Sequence, residues 1–108
     1  MIKVDNTTLA DIINQCFGYS SDGRLSPGQQ AILLADGKRL RGLLLNLLSA
    51  QFDDGTQAVL DANGQLKTLN AELANSAAAL ENASQTLDDV SSLVGNLDKL
   101  LNVVAKFI

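Results

Sequence analysis

Residues 59–108 read VLDANGQLKTLNAELANSAAALENASQTLDDVSSLVGNLDKLLNVVAKFI, and apolar residues recur through them at alternating intervals of three and four. This spacing places their side chains in one stripe along an α-helix, and such a stripe must be buried against other helices. With Val59 as position a of a heptad, Ser76 is the only polar residue at positions a and d. The a series is Val59, Leu66, Leu73, Leu80, Leu87, Val94, Leu101 and Ile108, and the d series is Ala62, Leu69, Ser76, Ala83, Val90, Leu97 and Val104.

The first half of the chain carries signals for two more helices. Asn6 or Thr7 can cap a short helix that runs to about Phe17 and ends at Gly18, where a left-handed residue is tolerated. A polar turn then leads to Ser26, whose hydroxyl can cap a second helix because the proline that follows fits the first helical position. The second helix is predicted to run from 27 to about 52.

The best turn signal is Asp-Asp-Gly at residues 53–55, where Asp54 could cap the next helix and Gln57 could complete a capping box. The heptad phase nevertheless continues across this turn, and Asn-Gly at residues 63–64 is a second turn signal. One continuous helix over 27–108 therefore stays open as an alternative. The favoured fold is all-α, a helical hairpin of an N-terminal helical region (1–55) and a long heptad-repeat helix (56–108), assembled as a coiled coil or oligomeric helix bundle.

Composition agrees with a helical bundle. The 108 residues are 46% hydrophobic but only 4% aromatic, so Leu, Ala and Val supply most of the buried volume. The net charge of −4 argues against general binding to nucleic acid or to an anionic membrane. Cys16 is the only cysteine, so it has no partner for a disulfide within the chain, and a buried structural thiol is expected.

The sequence offers little with which to build an enzyme. It contains no histidine, the commonest proton shuttle and a common metal ligand. The acid pairs at 53–54 and 88–89 are adjacent in sequence and do not converge as catalytic carboxylates do. We find no glycine-rich phosphate loop. We therefore predict no enzymatic activity, no catalytic residue, no cofactor and no metal site.

Residues 18–29 partly resemble the calcium-binding EF-hand loop, with Asp22 and Gly23 at two of its central positions. Gly18 stands where the first aspartate ligand belongs, and Gln29 stands where the bidentate glutamate belongs. These losses remove most of the charge that attracts calcium. A polar turn between two helices is therefore predicted instead.

Lys38, Arg39 and Arg41 form a small basic patch before the leucine-rich residues 43–48. The patch could contact lipid phosphates or an acidic partner. The favoured interpretation is the solvated side of a helix, because polybasic lipid sites usually contain more charges.

The sequence predicts neither a signal peptide nor a membrane-spanning segment. Residues 1–10 contain one lysine and no apolar run, so no signal peptide is visible, and residues 43–48 are far shorter than the ~20 residues of a membrane span. We expect a cytoplasmic protein by default, with secretion lacking an N-terminal signal as an alternative.

Helix lengths predict self-association. Residues 27–52 would cover roughly 39 Å of a long helix at 1.5 Å per residue, which is about half of its length. The far end would then stay exposed unless a second copy or a helical partner protein covered it; a symmetric dimer is the simplest solution and a trimer the next. The predicted interface comprises Val90, Leu93, Val94, Leu97, Leu100, Leu101, Val104, Phe107 and Ile108.

These expectations favour a non-enzymatic module for helical oligomerisation or protein–protein interaction, such as a small adaptor or assembly component. The alternative is a membrane-surface-active or secreted amphipathic helical protein. Membrane-surface helices are usually rich in lysine on the polar face and carry Trp or Phe on the other. The C-terminal stripe has few lysines and one aromatic residue, Phe107, so the first interpretation is preferred.

Overall fold

A computed structural model describes residues 2–53, 56–103 and 106–107. Over these residues the chain is all-α apart from two short strands, and the predicted fold class is confirmed. The elements are α1 (Asn6–Ser20), α2 (Pro27–Leu47), β1 (Ala50–Gln51), α3 (Gln57–Ala74), α4 (Ser76–Glu81), α5 (Ala83–Val103) and β2 (Lys106–Phe107).

The four longer helices form a bundle within the single chain. α1 packs against α2 and α3, and α5 packs against the same two helices. Two hydrogen bonds show that α1 and α3 run in the same direction. The backbone N–H of Asp5 donates to Asn63 Oδ1 (2.7 Å), and ten residues later the Gln15 amide donates to Asn70 Oδ1 (2.5 Å). The order around the bundle is therefore α1, α2, α5, α3.

α5 runs opposite to α3, so the chain turns back on itself at α4. The Asn96 amide donates to Gln65 Oε1 at 3.0 Å, whereas the hydroxyl of Thr86 lies 3.2 Å from Glu72 Oε1. The end of α5 therefore lies beside the beginning of α3, and the beginning of α5 lies beside the end of α3. Because α2 and α3 lie at opposite corners, the segment that joins them crosses the end of the bundle.

A small patch of extended backbone closes that end. β1 and β2 pair antiparallel, with Ala50 opposite Phe107. Phe52 exchanges two backbone hydrogen bonds with Ile2, at 2.8 and 2.9 Å, and its own side chain is fully buried. The segments before α1, after α2 and after α5 are thereby joined beneath one hydrophobic core.

The start of α2 follows the sequence prediction, but its end does not. Ser26 Oγ accepts from the backbone N–H of Gln29 (3.1 Å), and the Gln29 side chain accepts from the backbone N–H of Ser26 (3.0 Å), a complete capping box. The helix ends at Leu47 rather than near Phe52. The reason is tertiary, since the backbone after α2 pairs with other segments at the end of the bundle.

The first helix is longer than predicted. Its cap is Asp5, and it continues through Gly18 to Ser20. A contact made by the added turn explains the difference, because the Tyr19 hydroxyl donates to the carbonyl of Leu73 on α3 (2.5 Å). The expected helix end at Gly18 is therefore wrong.

The connection to α3 excludes one continuous helix over 27–108. The strand β1 interrupts it, and α3 begins after Thr56, whose side chain makes no capping bond. The predicted cap Asp54 and the adjacent Gly55 lie outside the described residues. Asn63, expected as a possible turn residue, lies inside α3, and its amide donates to the carbonyl of Lys3 at 3.2 Å.

The single long helix predicted for 56–108 is wrong; the structure has α3, α4 and α5 there. At Asn75 the backbone leaves the helical region (φ −92°, ψ 86°) and the side chain accepts from the N–H of Ala78 (3.3 Å). A second break follows at Asn82, whose amide donates to the Ala78 carbonyl (3.1 Å). Ser76, the one polar residue of the stripe, is exposed at the first break.

The apolar residues near the C-terminus were expected to be exposed in a single chain, and this is wrong for those the structure describes, because α5 folds back onto α2 and α3. Val90, Leu93, Val94, Leu97 and Leu100 are all buried, at most 4% exposed, and Leu101 is partly buried against the same core. Val104 and Ile108 lie outside the described residues, and Phe107 belongs to β2. The assignment of these residues to an oligomer interface stays a prediction, but exposure no longer supports it.

Candidate interaction surface

The exposed apolar residues lie on α2 rather than on α5. Side chains at intervals of four, three, four and three residues share one helix face. We call this set the α2 outer stripe; it comprises Leu34, Lys38, Arg41, Leu45 and Leu48. The three leucines are 40%, 67% and 52% exposed, respectively, and Ile32, on another face of α2, is 47% exposed.

The stripe exists because α2 has more apolar residues than the bundle can cover. Its inward side buries Leu33, Leu40, Leu43 and Leu47, together with Gly37. Those residues already fill the side that faces α1 and α5. The remaining large apolar residues of the helix point outward, so the leucine-rich residues 43–48 are buried on only one side.

Gly37 lets α1 approach α2 closely and so fixes which side of α2 is inward. A Cβ atom at this position would lie 3.0 Å from Phe17 Cε1 and 3.4 Å from Cys16 Cβ, closer than ordinary van der Waals contact for the first of these. Gly42, on the exposed side of the same helix, has no atom within 4 Å of such a Cβ. The two glycines therefore mark the inner and outer sides of α2.

The outer side of α2 is positively charged in a chain of net charge −4. Lys38, Arg39 and Arg41 are all exposed. The only carboxylate of the helix, Asp36, accepts a hydrogen bond from Ser91 Oγ of α5 (2.8 Å) and so lies toward the bundle. All three cations are exposed to solvent, as the sequence predicts. Lys38 and Arg41 also lie between the exposed leucines of the stripe.

Arg41 is held in place by an aromatic contact. Its guanidinium lies 5.6 Å from the centre of the Phe17 ring, within the range of a cation–π interaction. Such a contact is worth ~0.5–1 kcal/mol at an exposed site. One cation of the α2 outer stripe is therefore partly oriented before any ligand arrives.

Two other residues singled out from the sequence, Cys16 and Asp22, have shifted pKa values. Cys16 is buried, and burial first, with the charge of Asp36 second, raises its pKa to about 12, so its thiol stays protonated at neutral pH. In the turn after α1, both carboxylate oxygens of Asp22 accept from the Arg24 guanidinium, which holds the pKa of Asp22 to about 2. Across the described part of the chain, no group of three or more potential metal ligands comes together.

Two acidic side chains meet where α3 faces the start of α5. Burial first, and then hydrogen bonding and repulsion from Asp89, raise the pKa of Glu72 above its ordinary value. The Thr86 hydroxyl partly offsets this, because it lies 3.2 Å from Glu72 Oε1. A cavity of about 270 Å³ adjoins the pair and is lined by Gly64, Gln65, Thr68, Leu69, Glu72 and Asp89.

A second cavity, of about 370 Å³, lies between α3 and α5. The hydrogen bond between Gln65 and Asn96 crosses this interface, and Asp61 and Lys99 supply the charged groups of the lining. Opposite charges of this kind on exposed side chains contribute little to stability or binding. The rest of the lining is largely apolar and includes Ala58, Ala62 and Leu100.

The sequence interpretation identified the cations of this surface but not its exposed leucines, and its assignment of an oligomer interface to the C-terminal stripe stays a prediction. The available signal was the density of leucines in α2, which exceeds what one helix face can bury.

None of the described helices is long and apolar enough to cross a membrane. The cytoplasmic location expected from the sequence stays a prediction. No family model, no curated protein and no solved structure matches this chain significantly.

Proposed function

We propose that the protein is a non-enzymatic helical interaction module, a small adaptor or assembly component that binds through the α2 outer stripe. One observation carries this proposal: three leucines on one face of α2 and its C-cap, Leu34, Leu45 and Leu48, are 40–67% exposed. Single exposed apolar residues are common on proteins, but several on one helix face indicate a contact surface.

The energetics favour such a role. Full burial of a leucine side chain is worth ~1.5–3 kcal/mol relative to full exposure, so covering a partly exposed leucine recovers a fraction of that amount. Leu34, Leu45 and Leu48 together can thus provide the apolar centre of a modest interface. The exposed cations beside them would supply its polar rim and its charge preference.

Site-specific photo-crosslinking in cells tests the proposal. A photoreactive amino acid at position 45 should form one or a few discrete adducts, whereas the same group at exposed Ser92 on α5 should form none. The adducts at 45 should disappear when Arg41→Glu is added. Equal labelling from both positions, or no adduct from position 45, would contradict the proposal.

Self-association, with a dimer first and a trimer next, is the alternative to a helical partner protein. Light scattering on the purified chain measures it directly. Because Leu97 is fully buried, Leu97→Asp should unfold the chain rather than dissociate an oligomer, so Leu45→Asp is the informative variant. An oligomer that Leu45→Asp leaves intact would exclude the α2 outer stripe as its interface.

Binding to a membrane surface is the second candidate, and the same cations beside exposed leucines favour it. The outer side of α2 nevertheless has only three cations and no Trp or Phe, fewer than membrane-surface helices usually carry. Co-sedimentation with phosphatidylserine and phosphatidylcholine vesicles separates the two functions. Strong binding to either vesicle, combined with no adduct at position 45, would favour the membrane function.

A further inference from the structure

We infer that the natural ligand of the α2 outer stripe is an acidic amphipathic helix of another protein. The inference rests on the proposed function and adds the chemistry of the partner. It follows from the order of residues along the stripe, in which Lys38 and Arg41 lie between Leu34 on one side and Leu45 and Leu48 on the other. A partner must match both the charges and the leucines.

A second copy that presents its own α2 is a poor match. Two cations lie near the middle of the stripe, so two α2 helices packed face to face would bring Lys38 and Arg41 of one chain close to the same residues of the other. No carboxylate of α2 could compensate, because Asp36 already lies toward α5. Like charges opposed across an interface disfavour association.

A head-to-tail contact between copies fails for a different reason. The exposed acidic residues Glu81, Asp88 and Asp98 of α4 and α5 would attract the cations of α2. The exposed large apolar side chains of the described residues, however, lie on α2 and at Leu60 of α3 rather than on α4 or α5. The leucines of the stripe would therefore meet a polar surface.

A separate helix can satisfy both requirements. Leu34 and Leu45 lie three turns apart, roughly 16 Å along the axis at 1.5 Å per residue. A complementary helix would carry an apolar residue near each end of that span and carboxylates on the turns between. Such a helix pairs its acids with Lys38 and Arg41 while it covers the leucines, as amphipathic helices do when they bind grooves and faces of other proteins.

A designed peptide tests the inference on the full-length chain. The probe is a helix of about 15 residues with a leucine pair one turn apart at each end and glutamates on the same face between them. This arrangement reads the same in both directions, so it can bind in either orientation. The matched control peptide replaces each glutamate with lysine.

The glutamate peptide should bind saturably and at least about tenfold more tightly than the lysine peptide, with the preference weakening as salt is added. The double variant Lys38→Glu, Arg41→Glu should reverse the preference. Its control is Lys67→Glu, Lys99→Glu, which makes the same change in net charge at exposed positions of α3 and α5 and should keep the original preference. Circular dichroism would show that both double variants stay folded.

Equal binding of the two peptides, no binding of either, or the same reversal from the control variant would overturn the inference. So would tighter binding to phosphatidylserine vesicles than to the glutamate peptide. These failures are distinguishable from failure of the proposed function. Adducts at position 45 without preference for the acidic peptide would keep the surface and reject its partner chemistry, whereas absence of adducts would reject the surface itself.

Discussion

α2 and α5 have the same length, 21 residues each, and pack side by side, but they use their apolar residues differently. α5 concentrates them on one side, and Val90, Leu93 and Leu97 are fully buried there. α2 distributes them around its circumference, so Leu45 and Leu48 remain more than half exposed. Packing in the core therefore uses the described apolar residues of α5, whereas Leu45 and Leu48 on the outer side of α2 contribute little to it.

The largest expected effect is a difference in stability between a substitution at a leucine of α5 and one at a leucine of α2. Leu97→Ala should lower the free energy of unfolding by about 2–5 kcal/mol, because it leaves a cavity in the core. Leu45→Ala should change it by less than about 0.5 kcal/mol, since its side chain is mostly in water. Urea unfolding followed by circular dichroism measures both. Similar losses from the two variants would show that Leu45 is buried in solution.

The two glycines of α2 test its inner and outer sides. Gly42→Ala should stabilise the protein by ~0.5–1 kcal/mol, because alanine is the better helix former and open space surrounds the position. Gly37→Ala should be less stable than Gly42→Ala by about 1–3 kcal/mol, since its methyl group must displace Phe17 and press on α1. Thermal and urea unfolding of the pair would check this. An equal gain from both substitutions would refute the close approach of α1 at Gly37.

The break before α4 controls whether α5 can return to the core. Asn75→Ala removes the side chain that caps α4 and should destabilise the fold by about 1 kcal/mol. Asn102→Ala, at an exposed position of α5, is the matched control and should be neutral within about 0.5 kcal/mol. Urea unfolding measures the difference. If Asn75→Ala instead produced a larger species in light scattering, the cap would also be preventing a longer, intermolecular helix.

The smallest expected effect concerns pH. Because the pKa of Glu72 is raised in the folded state, the folded protein holds this proton more tightly than the unfolded chain does. The stabilisation is complete below the unfolded pKa and is lost as the pH rises through the folded one. Glu72→Gln should therefore be more stable than the parent at pH 7, by roughly 0.5 kcal/mol or less.

The advantage of Glu72→Gln should shrink as the pH falls toward the ordinary glutamate pKa of about 4.5. The exposed Glu81→Gln is its control. Unfolding curves at several pH values would measure both variants. A Glu72→Gln advantage that grew on acidification would contradict the sign of the shift.

Local signals predicted the elements well where the physical cause was local. The capping box of Ser26 and Gln29 needs only neighbouring residues, and it starts α2 where expected. Other local signals were outweighed by distant contacts. Gly18 does not end α1, because Tyr19 reaches the backbone of α3, and the residues before Phe52 leave the helix to pair at the end of the bundle.

Asn63, Asn70 and Ser91 each follow a d residue of the heptad, and their neutral side chains predict no charge pairing between helices. In the structure they join the helices through hydrogen bonds instead. Asn63 binds the backbone beside α1, Asn70 accepts from Gln15 of α1, and Ser91 donates to Asp36 of α2. An amide or hydroxyl can pair with many partners, so its partner becomes known only when the helices are in place.

The heptad pattern alone established that the residues of its stripe would be buried, and the described members of that stripe are mostly buried. What covers them was decided by the tertiary structure. Apolar burial is non-directional, so the same stripe is satisfied by a second chain or by its own other half. The breaks at Asn75 and Asn82 leave the heptad phase unchanged while they let α5 fold back between α2 and α3. The covering surface therefore came from within the chain, and four of the five large apolar residues left exposed among the described residues lie on α2 or at its C-cap.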